Sequence, residues 1–397
     1  MAANIYLDHA STTSVRPEAM EKFLEISKNI GNASSIHSNG RLARKIVEEA
    51  REEIAFAVGA KPSEIIFTSS GTESDNFAIK GLYWQQNKSQ KKPIVLISAF
   101  EHHAILEPAH WLAEFQGAEV IEIPILKSGF VDLDFIQKIV GARANEIALV
   151  SVIHGHNELG TIQPISEIKE LIGNIPFHTD CVQSLGKVKI DFNSIGADAA
   201  TFTSHKIGGV PGTAAFFLKQ DQLITPLLHG GGQEREVRSG TFNVPGIAAF
   251  ATAVSLAVNE IESHRKYLKG LREKLFNGIK DIEGIAFNAA GDLTAADISE
   301  KYLLNILNLT FTQVESEALL MVLDNLGFSL SAGSACTAGV ARPSYVLTAM
   351  GFDEATADSA LRVSISQQTT EAEIELLIAK LPDAVARARS AYKSRHR

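Results

Sequence analysis

The sequence predicts an α/β protein: a mostly parallel sheet with helices on both faces, joined to a smaller α+β unit. Three observations carry this. From Glu64 to Leu218, short apolar stretches alternate with longer stretches of helical periodicity, the pattern of repeated strand–helix units. Ile147–Ile153 is a nearly continuous apolar run, as in a strand buried on both faces. The length of 397 residues exceeds one ordinary core and suggests about two domains.

Taken in order, Ile5–Leu7 reads as a short strand, followed by a polar loop, Asp8–Thr13. Pro17 opens a helix where its missing N–H costs little. Gly31–Gly40 is a loop of small polar residues; Asn32 is a candidate to face a ligand, a plain surface connection being the alternative. A helix is expected over Gly40–Val58, where Leu42, Ala43, Ile46, Val47, Ala50, Ile54 and Val58 share a face and Gly59 closes the end. The strand Glu64–Phe67 runs into TSSGTESDN and a helix through Phe77, Ile79 and Leu82. Backbone N–H groups at such a helix start attract a phosphate; Gly71 permits close approach and Thr72 adds a hydroxyl. A simple N-cap is the competing reading.

The strand Ile94–Ser98 leads to His102, an imidazole at a strand end that can stack on a planar ring and move protons. A helix to Gly117, a strand Val120–Ile125 and a helix near Leu133–Val140 follow. The run Ile147–Ile153 ends in His154-Gly155-His156-Asn157. Two histidines at i, i+2 raise a metal reading, but no third ligand sits at suitable spacing, so no metal is expected; Asn157 is the better candidate for a ligand contact.

Ile175–Thr179 then delivers Asp180, with Gln183 three residues on, and Ala199–Thr203 leads through His205 to Lys206. A buried acid and a lysine that can lose its proton, both at strand ends, are what pyridoxal phosphate (PLP) requires. The lysine forms the Schiff base, and the acid keeps the pyridine nitrogen protonated so that the ring acts as an electron sink. Without Asp180, Lys206 could be a solvated loop cation. Phe216–Leu218 is a further strand, followed by three adjacent glycines and by Arg238 and Thr241 as candidate anion contacts.

Pro245–Glu262 is expected as one helix, continued by the charged segment to Lys274 into the second unit. That unit has strands near Ile306–Phe311 and Phe328–Ser331 and helices near Ser316–Leu326 and Thr370–Lys380. Pro382 is expected to break the last helix or open a new one, and residues 391–397 to fray. Cys336 lies in SAGSACTAGVAR with no large apolar neighbour, which suggests an exposed loop suited to a reactive thiolate. Cys181, beside Asp180, reads as a packed core residue.

Lys plus Arg number 37 against 46 Asp plus Glu, a net charge of −9, which disfavours general nucleic-acid binding. Two cysteines exclude a disulfide framework and a cysteine-based zinc cluster and suit a reducing compartment. The start MAANIYLDHAS lacks the features of a signal peptide, and the apolar runs are too short to span a bilayer. A soluble, cytoplasmic protein is expected.

At this point the chain resembles the cysteine desulfurases of the NifS/IscS-like branch, first group, within the class-V aminotransferase family of PLP enzymes. The matching stretches are YLDHAST, TSSGTESDN, EHHAIL, HNELG, HTDCVQSLGK, TSHK, HGGGQEREVRSGT, GSACTAG and PSYVL, spread over nearly the whole chain. The resemblance implies an aspartate-aminotransferase-like fold (type I). Its large domain, 15–262, holds a mostly parallel seven-stranded sheet; residues 1–14 and 263–397 form a small domain carrying the Cys336 loop, about 329–342.

The resemblance also assigns roles. Lys206 would be the Schiff-base lysine, Asp180 the pyridinium partner and Gln183 the ring-hydroxyl contact. His102 would stack on the ring and act as acid/base at the substrate thiol. Thr72, Thr203 and His205, with the Gly71 backbone, would hold the phosphate, and Thr241 would complete that site in a second subunit, implying a homodimer. Arg362 would grip the carboxylate of L-cysteine, with Asn157 and Asn32 nearby, and Cys336 would take the sulfur as a persulfide. The sulfur would pass to an acceptor protein, an iron–sulfur scaffold or a tRNA thiolase. The chain departs from the family pattern at Gly209-Val210-Pro211-Gly212, where a Gly-Pro-basic-Gly turn is usual, and at His156, which replaces a common Asn. Competing readings are a selenocysteine lyase or aminotransferase in which Cys336 is incidental, and a non-catalytic structural partner.

Overall fold

The structure, a computed structural model, describes residues 4–89, 91–289, 298–333 and 343–395; Cys336 lies outside the described residues. Twelve strands are present among them: β1 (Ile5–Tyr6), β2 (Ile65–Thr68), β3 (Ile94–Ser98), β4 (Glu119–Ile123), β5 (Ile147–Ser151), β6 (Phe177–Asp180), β7 (Ala199–Thr203), β8 (Ala214–Leu218), β9 (Ile285–Phe287), β10 (Ile306–Phe311), β11 (Phe328–Ser329) and β12 (Leu361–Ser364). Seven of them form one sheet in the order β2-β8-β7-β6-β5-β3-β4. All neighbours are parallel except β8, which runs antiparallel to both β2 and β7. The expected mostly parallel seven-stranded sheet is therefore present.

Alternating side chains along these strands feed two layers. Ile65, Phe67, Ala200, Phe202 and Phe217 point to one face, where they pack with Val47 and Ile54 of α2 (Ser38–Ala57, preceded by α1, Pro17–Ser27) and with the helix Val244–Asn259. Ile66, Ala199 and Phe216 point to the other, against Phe77 and Leu82 of α3 (Gly71–Gln86) and Ile105 and Leu112 of α4 (His103–Gln116). β5 is buried at every position, as its nearly continuous apolar run requires. Gly59 (φ 63°) and Gly117 (φ 71°) both adopt the left-handed conformation that ends α2 and α4.

A second sheet, β12-β10-β9, is antiparallel, and β1 pairs in parallel with β11. Ile5 and Leu7 thereby join a separate core of Leu268, Leu275, Leu309, Phe328 and Leu377. No single helix among the described residues is long and apolar enough to cross a membrane.

Three expectations are corrected. The helix from Pro245 does not run on to Lys274: Val244–Asn259 and Ile261–Ile279 meet at 67°. The first serves the large-sheet core and the second, through Leu268, Leu271 and Leu275, the other core. At the corner, the Glu260 carboxylate accepts from Arg16 Nη1 at 2.8 Å and pairs with His264 Nε2 at 3.2 Å. Pro382 does not break the last helix, which spans Glu371–Arg395. Leu377 and Leu381 before it and Ala384, Val385 and Ala388 close behind or after it stay in one core, and that packing outweighs the lost backbone bond. Residues 391–395 are likewise helical, with Arg395 Nη1 on Glu315 at 2.5 Å.

Candidate active site

The C-terminal ends of β3, β5, β6 and β7 open into a cavity of about 550 Å³, the position expected for ligands in open α/β sheets. Gly71, Thr72, His102, Asn157, Asp180 and Gln183 line it, as do Thr203, His205, Lys206 and Arg362. Ten of the twelve described sequence candidates thus converge.

Asp180 ends β6 and is buried. Its Oδ1 accepts from Val182 N–H at 2.8 Å. Burial raises its pKa to about 6, opposed by that N–H and by Lys206. Lys206 follows β7 on a tight turn, Ser204–Lys206. Its Nζ donates to the carbonyls of Ala10 and Ser11 at 2.5 and 2.6 Å. The turn needs its glycines: a Cβ on Gly209 would sit 2.0 Å from Ser204 Oγ, and Gly208 has φ 85°. In the following departure from the family pattern, Pro211 and Gly212 join the cavity wall.

Opposite the sheet, α3 starts at the cavity. Ser70 caps it, its Oγ accepting from Glu73 N–H at 3.1 Å, which leaves the first-turn N–H groups near Gly71 and Thr72 for an anion. A Cβ on Gly71 would lie 3.2 Å from Val182 Cγ2, so the cradle is tight. His102 caps α4 by accepting Ala104 N–H on Nδ1 at 3.1 Å. The neutral ring therefore carries its proton on Nε2, and burial, Lys206 and His103 pull its pKa down to about 4. It is a hydrogen-bond donor at neutral pH, and the ring cannot also serve as a base at Nε2 without giving up the cap.

Arg362, on β12, reaches the cavity from the second sheet. Nη2 bonds Asp8 Oδ1 and Ser11 Oγ, both at 2.7 Å, and Nη1 bonds Asn157 O at 3.0 Å. Among the described residues, its Nε and Asn157 Oδ1 are buried without partners. Gln183 Nε2 donates to Ala10 O at 2.7 Å.

Two candidates lie elsewhere. Asn32 is exposed, its Oδ1 tied to Ser34 N–H at 2.9 Å in the turn before α2. Thr241 is exposed on the loop after the glycines and does not line this chain's cavity. That loop is anchored by the buried pair Arg51–Glu234, 2.7 Å apart. Arg238 is likewise committed, gripping Glu73 at 2.7 and 3.1 Å. Cys181 is fully buried, and burial pushes its thiol pKa up, as for a core residue. His156 uses Nε2 on Phe100 O and Nδ1 on the N–H groups of Glu158 and Leu159, which occupies both ring nitrogens with backbone.

The structure adds groups that sequence reasoning did not single out. Asp75 lies buried behind Asp180; burial and the Asp180 charge raise its pKa well above the usual carboxylate range. Glu101, fully buried, is raised to about 8 by burial. Glu158 is raised to about 7, again by burial, with Ser344 and Arg362 opposing; its Oε2 accepts from Ser344 Oγ at 2.9 Å. All three sit inside the motif stretches quoted above, but a carboxyl in a loop motif carries no sequence mark of being buried.

The residues present fit PLP. Orphaned Asn157 Oδ1, the tight cradle at Gly71, a buried acid and a lysine on one cavity form a matching set of donors and acceptors. The aminotransferase class-V family model matches residues 5–377, and the chain belongs to that family of PLP-dependent enzymes. Within it, the chain is similar to an IscS-like cysteine desulfurase of Mycobacterium tuberculosis, 43% identical over 390 residues and 97% of each chain. Among solved structures it is similar to a NifS-like protein (TM-score 0.86, 31% identity, 96% of this chain and 99% of the other). It is also similar to SspA in complex with cysteine (TM-score 0.77, 30% identity, 92% of this chain and 100% of the other).

Proposed function

We propose that this protein is a PLP-dependent cysteine desulfurase that converts L-cysteine to L-alanine and carries the sulfur as a persulfide on Cys336. The observation that carries the reading is the convergence of Lys206 and Asp180 from the large sheet with Arg362 from the second sheet on one cavity. PLP, when bound, supplies an electron sink for the charge left on the substrate Cα.

The chain's own residues do the rest. Lys206 would hold the cofactor, and its Nζ would take the substrate Cα proton; the Ala10 and Ser11 carbonyls hold that amine in place. Asp180 would hold the ring nitrogen's proton by charge, a pairing favoured over an isolated buried carboxylate. The first-turn N–H groups at Gly71 and Thr72, with Thr203 and His205, would hold the phosphate. Gln183 serves the ring hydroxyl through its amide. Arg362 offers its unpartnered Nε edge to the substrate carboxylate, and a guanidinium fork suits that geometry. His102 Nε2–H donates to the substrate sulfur and steadies it as a thiolate. Cys336 attacks that sulfur: a Cys336 S–S bond forms, the substrate C–S bond breaks, and its electrons pass to the carbon skeleton. Gly333, which begins the segment carrying Cys336, lines the cavity and supports this delivery.

The finer parts of the proposal are a homodimer, a cytoplasmic setting and a sulfur-acceptor protein serving iron–sulfur clusters or tRNA. Support for the dimer comes from Asn32 and Thr241, which do not line their own cavity, and from exposed Ile30 and Ile36, which flank Asn32 in sequence. The division at about residue 262 is proposed on the two separate cores and the 67° corner. The test is incubation with L-cysteine, following alanine and the mass of the Cys336 peptide. Alanine together with sulfur added to Cys336 is expected, and Cys336→Ser should abolish the turnover. Continued turnover with no sulfur on Cys336 overturns the mechanism.

A further inference from the structure

Lys187 lies one turn beyond Gln183 on the segment that follows Asp180. Its Nζ donates to Gln183 O at 2.9 Å and to Gln183 Oε1 at 3.3 Å. The other end of the same amide, Nε2, donates to Ala10 O, which also receives Lys206 Nζ. An unbroken chain of polar contacts therefore runs from one ammonium to the other: Lys187 Nζ, the Gln183 amide, the Ala10 carbonyl, Lys206 Nζ. An ammonium only donates. Gln183 must turn its oxygen to Lys187, which fixes its NH₂ toward Ala10 and the cavity. The two lysines also share the wall of a second, smaller cavity of about 40 Å³ behind Lys206, room for a water or two.

We propose that Lys187 is a positioning residue that fixes the amide of Gln183 and, as a second cation beside Lys206, favours the unprotonated form of the Lys206 nitrogen. The inference rests on the reading of Lys206 as the cofactor lysine. Of the described groups facing the pair, Asp180 opposes this effect, and the others named next do not. His9 and His205 are held neutral by burial, with pKa values near 4. Arg16 spends its charge on Glu260, and His264, its pKa lowered chiefly by burial, rests on the same carboxylate. Arg265 Nη1 is on Lys187 O at 3.0 Å, adding positive charge. No carboxylate among the described residues pairs with Lys187. On the far side of Lys206, Asp180 attracts its proton but is committed to the ring nitrogen. Burial first and Lys206 second pull Lys187 down to about 7, so its charge acts on Lys206 at and below that pH, and Coulomb coupling between two groups acts equally on both.

The test is a pH titration of the visible absorption of the PLP-loaded, full-length protein, compared with Lys187→Met, Lys187→Gln and Lys187→Arg. Removing a like charge at this range should raise the midpoint by about one pH unit in K187M. K187Q, which keeps a donor for Gln183 but no charge, should shift as K187M does. K187R should restore the wild-type midpoint. Should K187M not fold, K187Q carries the comparison, and an unchanged midpoint there or an equal shift in K187R overturns the inference. Borohydride trapping of the cofactor on Lys206 keeps the two readings apart. With the trap on Lys206 and no shift in K187M or K187Q, the role of Lys187 alone falls; with the trap elsewhere, the functional reading falls and takes this inference with it.

Discussion

Gly333→Ala tests how the wall beneath the Cys336 segment is built. A Cβ there would lie 2.3 Å from Glu158 Oε2 and 3.0 Å from Ser344 Cβ and Oγ. Backbone strain is not the issue, since Gly333 is not among the residues of positive φ. An exposed carboxylate would swing aside, but Glu158 is 1% exposed and its Oε2 accepts the Ser344 hydroxyl. Making room breaks that bond or moves Ser344, which caps the helix Tyr345–Ala349 through Leu347 N–H. Overpacking of this kind costs about 1–3 kcal/mol. A buried hydroxyl left without its partner adds roughly 1 kcal/mol more. The assay is urea unfolding of G333A, E158A and the double variant, with alanine release alongside. E158A removes the obstructing group, so G333A should cost far less in that background, a coupling of about 1–2 kcal/mol. Stability of G333A equal to wild type, or strict additivity in the double variant, refutes the reasoning.

Further outcomes are expected. Arg362→Lys keeps the charge but loses the fork and the Nε edge; KM for L-cysteine should rise roughly 10-fold or more, the weight of one charged hydrogen bond, as steady-state kinetics would show. Asp75→Asn should leave PLP affinity within about twofold by fluorescence titration, because burial and Asp180 already keep that carboxyl protonated; a large loss means Asp75 is ionised. Six histidines, His9, His102, His154, His156, His178 and His205, are held at about 3 to 4 mainly by burial. Below pH 6.5 the unfolded chain binds protons that the folded chain refuses, so stability should fall as pH drops from 6.5 toward 4. Asp180, Glu101 and Glu158, raised to between about 6 and 8, offset part of this above pH 4.5. Urea midpoints measured at pH 7 and pH 5 in the absence of cofactor should differ in that direction.

What the sequence disclosed follows from what local chemistry can mark. Asp180, Thr203 and Lys206 were legible because Asp180 and Thr203 end buried strands and Lys206 closes the turn just after one, and strand ends of a parallel sheet share one rim. The break at Glu260 was not legible, because the sequence on both sides keeps helical periodicity while the buried stripe changes from one core to another. Pro382 misled for the converse reason: its local rule was outweighed by the apolar residues flanking it. Asn32 and Thr241 were placed by resemblance, and no single-chain pattern says on which subunit's cavity a loop residue acts. Lys187 was overlooked because an ordinary solvated lysine and a lysine wedged against a second one look identical in sequence.

The parallel ladder between Ile5–Tyr6 and Phe328–Ser329 has a bearing on synthesis. The carbonyls that seat the Lys206 amine belong to Ala10 and Ser11, a few residues beyond that ladder. A nascent chain emerges from the ribosome N-terminus first. The opening segment must therefore wait, unpaired, until more than three hundred later residues have been translated. The large sheet can mature during that interval with its lysine still unseated, and the finished catalyst arises only when two far-separated stretches of the message meet.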